Sequence, residues 1–309
     1  MKDKYIYWVV GLVFLSFFLM LVSLGFEKAV GSRKHREGER GPAPAPHFAE
    51  QDFSNVKSVT TMDGAVMNFI PAGVFIRGTA MGEGDTDEMP QLPVYVSAFY
   101  IDQYEVTNGQ YQQFVNMTQS TKPFIPFFED EITKITAPEL PAVGVSWTAA
   151  VAYCQWIEKR LPTEAEWEKA ARWEDGRRWP WGDTDEVGRA NLAGQDDGHQ
   201  YSSPPGALAA GRSPYGPYDM IGNVNEWVAD WYGEDYYATA PQKDPAGPEK
   251  SRNRVFRGGS WNDLSQNARS AKRFAAVPHR SDAIIGFRCA IDAEKLSKIT
   301  LSDEKKKGE

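Results

Sequence analysis

The hydrophobic pattern changes character along the chain. From Tyr5 to Phe26 the run YIYWVVGLVFLSFFLMLVSLGF holds no charged residue, and a helix of that length reaches roughly 33 Å, enough to cross a bilayer. A cleavable signal peptide would pair a shorter apolar core with a small-residue cleavage site. This run instead passes into Glu27, Lys28 and the charged stretch from Arg33 to Arg40. The pattern predicts an uncleaved anchor over residues 5–26 behind a short tail, residues 1–4. Residues 27–66, with SRKHREGERGPAPAPH, favour an extended spacer over a packed element.

From Met67 the periods shorten. MNFIPAGVFIRGT has apolar runs broken by Pro71 and Gly73, and VYVSAFYIDQYEVT alternates as half-buried strands do. Thr107 with Gln110 forms a capping-box pattern before Tyr111, Phe114 and Val115, which lie on one helical face. A second helix is predicted from Ser146 through WTAAVAYCQWIEK, with Ala150, Cys154 and Ile157 on one side. Thr163 and Glu166 then cap a third, EAEWEKAARW. Asp175–Tyr218 is rich in Gly, Pro, Asp and Asn without a period, so it reads as loop held by bound metal or buried aromatics such as Trp179, Trp181, Trp227 and Trp231. VFRGGSW and GFRCAI return to strand-like runs, and residues 293–309 read as a solvated tail.

Composition narrows this picture. Residues 67–292 form one domain, and most of the chain's ten Trp, sixteen Phe and thirteen Tyr fall within it to supply a large core. A formal charge of -8 argues against nucleic acid as a partner. Lys28, Arg33, Lys34, Arg36 and Arg40 follow the apolar run, where anionic lipid attracts them. By the positive-inside rule they place the domain in the cytoplasm, since only Lys2 and Lys4 precede the anchor. Asn116, Met117 and Thr118 match a glycosylation sequon within a predicted helix, a pattern too common to weigh.

A set of motifs stands in order: IPAGVFIRG, YEVTNGQYQQF, VSWTAAVAYCQWIEKRLPTEAEWEKAAR, WPWG, RANLAG, YDMIGNVNEWVADW, FRGGSW and GFRCA. Over residues 67–292 the chain resembles the formylglycine-generating enzyme, or sulfatase-modifying factor, family. The resemblance implies an α+β domain, the irregular formylglycine-generating-enzyme fold related to the C-type-lectin fold, here preceded by one transmembrane helix.

What it implies chemically is selective. Family members that oxidise a substrate cysteine hold copper(I) with two cysteines after the GGS motif, and those positions are Asp263 and Ala268. Neither supplies the soft thiolate that selects copper(I), so no copper is expected. Ser260 keeps the family's serine position without a metal ligand or base beside it. The related three-histidine iron chemistry is not expected either: His35 and His47 lie in the spacer, leaving His199 and His279. Structural calcium does carry over: the resemblance maps one Ca²⁺ site to Asn191, Leu192, Asp197 and His199 (through its carbonyl), and a second to Asp219, Gly222, Val224 and Glu226. Loop solvation or capping is the alternative role for those acids. Cys154 and Cys289 match a family disulfide, with two packed free thiols as the alternative. Such a disulfide, and calcium to bind, argue for an oxidising compartment. Against the charge rule, the domain is therefore expected on the periplasmic side of the inner membrane.

The leading functional expectation is a non-catalytic structural or assembly subunit of a membrane protein complex, its partners other integral subunits and the bilayer around residues 5–26. One alternative is a maturation or biosynthetic enzyme using a copper-independent site built from Ser260, Trp261, Asp263, Asn267, Arg273, His279 and Arg280. Another is a lectin-like ligand-binding module, which exposed Trp or Tyr in the long loops would favour.

Overall fold

The computed structural model describes residues 53, 55–61, 63–125, 129–194 and 196–297. Among these no helix is long and apolar enough to cross a membrane. The expected anchor, residues 5–26, lies outside the described residues, as does the first part of the spacer, residues 27–52.

Short strands, caps and long loops build the domain. β1 (Ser58–Thr60), β2 (Val66–Ile70), β5 (Phe99–Asp102) and β10 (Ala290–Asp292) form an antiparallel sheet in the order β1-β2-β5-β10, so the two ends of the domain meet beside β5. β3 (Gly73–Arg77) pairs antiparallel with β4 (Leu92–Val96), where Val94 and Val96 point inward on either side of Tyr95. The third sheet runs β8 (Phe274–Ala276), β7 (Arg254–Arg257), β6 (Asn225–Trp231), β9 (Ile285–Gly286). Only β6 and β9 are parallel, and β6 bulges between Trp227 and Trp231. Ordered structure begins before Met67, and residues 293–297, expected in a solvated tail, are helical. Leu296 packs there with Met67 and Ile291, which explains why the chain stays folded past β10.

The capping patterns form as read. α1 (Asn108–Thr118) has a complete Thr107/Gln110 box and buries Tyr111, Phe114 and Val115. In α2 (Trp147–Trp156), Ser146 accepts from the Ala149 amide, and the helix stops short of Lys159 because Glu158 takes φ 59°. α2 also carries Cys154, disulfide-bonded to Cys289 with 5.7 Å between Cα atoms, which closes a separation of 135 residues. Tyr111, Phe114, Tyr153 and Phe287 pack around this bond.

α3 (Glu164–Arg172) begins at the expected Thr163/Glu166 box, and all nine of its residues are buried. A helix reading EAEWEKAAR can be buried on every side only if its charges are matched within the protein. Glu164 accepts from Arg257 (2.9 Å) and from Arg273 (2.7 and 3.0 Å). Glu168 accepts from Arg257 (2.7 Å), Arg172 (2.9 Å), the Gly78 amide (2.7 Å) and the Tyr237 hydroxyl (3.1 Å). Lys169 donates to the carbonyls of Pro71 and Gly73. Burial would raise the Glu168 carboxyl; Arg257, Arg172 and the Gly78 amide outweigh it and hold the group below the ordinary glutamate value.

Removing one partner strands the others in a dry interior. Glu168→Ala is expected to destabilise the domain by about 3–5 kcal/mol in denaturant unfolding; a cost below about 1 kcal/mol would show that the network is solvated.

Candidate functional site

Residues 218–226, YDMIGNVNE, lead into β6 through three departures from ordinary backbone: Asp219, Gly222 and Asn223 have φ of 54°, 79° and 59°. A Cβ on Gly222 would lie 2.4 Å from the Asn191 carbonyl oxygen, so only glycine lets the two segments meet. The Asn223 amide donates to that same oxygen (2.9 Å). The side chain of Asn223 then donates to Glu105 Oε1 (2.9 Å) and accepts from the Ser203 amide (2.8 Å) and Asn191 Nδ2 (3.3 Å). Asn223 thereby joins the two residue sets mapped as calcium sites.

The sets differ in what they offer a cation. Glu105, Asp219 and Glu226 are buried together with a single guanidinium, Arg288, which binds both oxygens of Glu226 (2.7 and 2.6 Å). Glu105 and Asp219 are close enough to share a hydrogen bond, and Glu105 Oε2 has no hydrogen-bond partner. Burial raises the Asp219 carboxyl to about 6, aided by the nearby Glu226 charge, although the Gly206 amide and Arg288 oppose the shift. Burial and then Asp219 push Glu105 up as well. Three buried carboxylates thus share one guanidinium, with Glu105 Oε2 3.9 Å from Arg288, so the cluster carries more acid than cation.

The other set lies in one loop but supplies one carboxylate. Asp197 Oδ2 accepts from the Leu192 amide (3.1 Å), and Oδ1 accepts from the His199 amide (2.9 Å). Asn191 Nδ2 donates to the Tyr201 carbonyl (2.8 Å), while the His199 side chain is exposed. This loop closes with its own amides, as an Asx turn does.

The turn after FRGGSW has been rebuilt around Asp263. Its Oδ2 accepts from both the amide (2.9 Å) and the hydroxyl (2.6 Å) of Ser260, and from Asn225 Nδ2 (3.4 Å). Asn225 Oδ1 in turn accepts from the Gly259 amide (3.1 Å). Ala268 is fully buried, and its carbonyl accepts from the Trp179 indole (2.8 Å). A Cβ on Gly259 would stand 2.7 Å from the Ala268 Cβ. Ser260, Asp263 and Ala268 are therefore together, and Ser260, expected to stand without a base, has the Asp263 carboxylate on its hydroxyl, while the Ala268 carbonyl is given to Trp179.

The remaining polar residues after this turn disperse. Arg273 is locked on Glu164, and Arg280 pairs with Asp282. Asn267 is exposed, and so is His279, in a turn whose Pro278 carbonyl accepts from the Trp147 amide. Sequence reasoning missed Glu105 and Asn223. Both stood inside motifs already singled out, YEVTNGQYQQF and YDMIGNVNEW, where a polar residue amid apolar neighbours was the available signal.

With this geometry in hand, residues 52–293 match the Sulfatase-modifying factor enzyme 1-like domain. The chain belongs to this family. It is 33% identical to the formylglycine-generating enzyme of Streptomyces coelicolor, over 82% of this chain and 97% of that one. It is 34% identical to the serine/threonine-protein kinase pkn1 of Chlamydia pneumoniae, over 88% of this chain but only 42% of the kinase's length. In three dimensions it resembles PvdO of Pseudomonas aeruginosa, with a TM-score of 0.65 and 29% identity, covering 77% of this chain and 98% of PvdO. Within the family's α+β fold the GGSW turn is held by the hydrogen bonds between Ser260 and Asp263.

The acid cluster has a direct consequence. Asp219 titrates near 6 when folded and near 3.8 otherwise; the native state therefore holds the extra proton in that window, and stability falls as pH rises from about 4 through about 6. Asp219→Asn, whose carbonyl can still accept from Gly206, is expected to raise the melting temperature in chelator at pH 8 and to leave it unchanged at pH 4. A drop at pH 8 would contradict the excess of negative charge.

Proposed function

We propose that this chain is a catalytically silent member of its family, serving as a structural or assembly subunit of a membrane protein complex. Residues 5–26 are the anchor, and the domain stands on the periplasmic face as a rigid, loop-bearing scaffold. The observation that carries the silent reading is the Ser260–Asp263 turn. Where thiolates would meet a metal, a carboxylate is hydrogen-bonded back onto the backbone of its own turn, and Ala268 closes the space. The dispersal of Arg273, His279 and Arg280 weighs against a substitute active site there.

Calcium belongs to this reading as a structural ion at Asp219, Gly222, Val224 and Glu226, with Glu105 as an added acid. A divalent charge there would offset the surplus of carboxylate over Arg288 and fix the loop that enters β6. The Asn191, Leu192, Asp197 and His199 loop has less need of an ion, because Asp197 is already satisfied by backbone amides. Added calcium should raise the melting temperature of the wild-type chain at pH 7.5 and have a much smaller effect on Asp219→Asn; an equal effect on both would place the ion elsewhere.

Purification of the tagged full-length chain from its native membrane in mild detergent, with mass measurement of intact particles, tests the subunit reading. The expected result is a complex of fixed stoichiometry that survives dilution. A lone monomer, or sporadic association with biosynthetic enzymes, would overturn it.

A further inference from the structure

Between the turn before β2 and the segment that follows β5 lies an open pocket of about 370 Å³, and no basic side chain lines it. Asp63, Asp102, Glu105 and Glu139 do. Among the described residues two cations reach these acids, and each is shared. Lys159 donates to Asp63 Oδ2 (2.9 Å) and to Asp102 Oδ1 (3.0 Å). Arg288 binds both oxygens of Glu226 and lies 3.9 Å from Glu105 Oε2. Burial raises the Asp102 carboxyl although Lys159 and the Cys289 amide oppose it, as expected where one ammonium serves two carboxylates. Glu139 is exposed at the rim and pairs with no cation among the described residues. In a chain of formal charge -8, a cleft lined by one sign of charge concentrates cations.

The walls between these acids are apolar, built from Tyr104, Tyr153, Pro204 and Pro205. Tyr104 leaves 36% of its surface to solvent, yet its ring is fixed. It stacks on Tyr218 with 5.2 Å between ring centres, and a Cβ on Gly206 would stand 2.6 Å from its edge. Tyr153 is only 2% exposed, its ring packed against Phe114 and Phe287, and its hydroxyl makes no hydrogen bond among the described residues. Burial, then the Asp102 and Asp63 charges, raise this phenol, so it keeps its proton and offers a ligand the lone pairs of its oxygen. A buried hydroxyl left unpaired is costly, and this one lines a pocket.

From this juxtaposition we infer that the Tyr104–Tyr153 pocket binds a primary alkylammonium group: its N–H donors meet the Tyr153 oxygen and the incompletely neutralised carboxylates, and its alkyl stem lies along Tyr104 and the two prolines. Lys159 makes the same kind of pairing from within the protein, one alkylammonium held between Asp63 and Asp102. A hard metal ion would take oxygen ligands alone and leave the apolar walls unused, and an anion would meet only like charge. The pocket shares Glu105 with the proposed calcium set, but Asp219, Gly222, Val224 and Glu226 do not line it. It is independent of the subunit reading.

The test is a binding titration of the full-length chain in mild detergent, chelator and physiological salt, with 1,4-diaminobutane and with a short peptide carrying a single lysine; 1-butanol and butyrate are the controls. At least one of the two amines is expected to bind, and neither control. Tighter binding of the diamine identifies a free amine as the occupant, and tighter binding of the peptide a lysine side chain; either supports the inference. Tyr153→Phe, which keeps the buried ring, is expected to weaken binding about tenfold. Glu139→Gln, an exposed change that leaves the fold intact, is expected to weaken it about threefold. The inference is overturned if neither amine binds, if butanol or butyrate binds as well, or if either variant keeps wild-type affinity. Because chelator is present throughout, failure of the calcium reading would leave these outcomes unchanged.

Discussion

Burial of α3 is the constraint on which the rest of the structure depends. Glu164 and Glu168 have no access to water, and an unpaired carboxylate in that setting would cost several kcal/mol. Their partners come from distant parts of the chain: the Gly78 amide just beyond β3, Tyr237 from α4 (Tyr236–Thr239), Arg257 at the end of β7 and Arg273 just before β8. The helix can be satisfied only when these segments have converged, so the same contacts that neutralise it bring the hairpin and the third sheet together. On another flank of the helix its own Trp167 donates the indole N–H to Glu226, and Glu226 binds Arg288. The ion network is thus continuous with the acid cluster at the start of β6.

That continuity bears on the site. In a domain this poor in regular structure, loops hold their shape by hydrogen bonds and charge pairing, and the turn after FRGGSW is held in the same way. Asp263 organises the turn through Ser260 and Asn225, as a cap organises a helix end. The cluster of Glu105, Asp219 and Glu226 holds more carboxylates than cations, which is why a cation is proposed there.

Much of this was legible in the sequence because the responsible interactions are local. The Thr107/Gln110 and Thr163/Glu166 boxes, the Ser146 cap and the loop character of residues 175–218 follow from spacing and composition, and they form as read. Ordered motifs supplied the family, and with it the pairing of Cys154 with Cys289. What spacing could not convey was long-range pairing. EAEWEKAAR reads as a solvated helix until Arg257 and Arg273 arrive from about a hundred residues away. Leu296 lies in a charged tail by composition, but it docks on Met67 and Ile291. Trp173 was read as the last residue of α3, and only the backbone reveals that it has left the helix at positive φ.

Thermal unfolding of Asp263→Ala beside Asp263→Asn tests most directly the claim that the family's reaction centre has become part of the fold. The alanine variant strands the buried Ser260 amide and should lose about 1–3 kcal/mol, whereas the asparagine variant keeps an acceptor and should lose much less. An alanine variant as stable as the wild type, accompanied by loss of cellular function, would mean that Asp263 serves chemistry and not architecture.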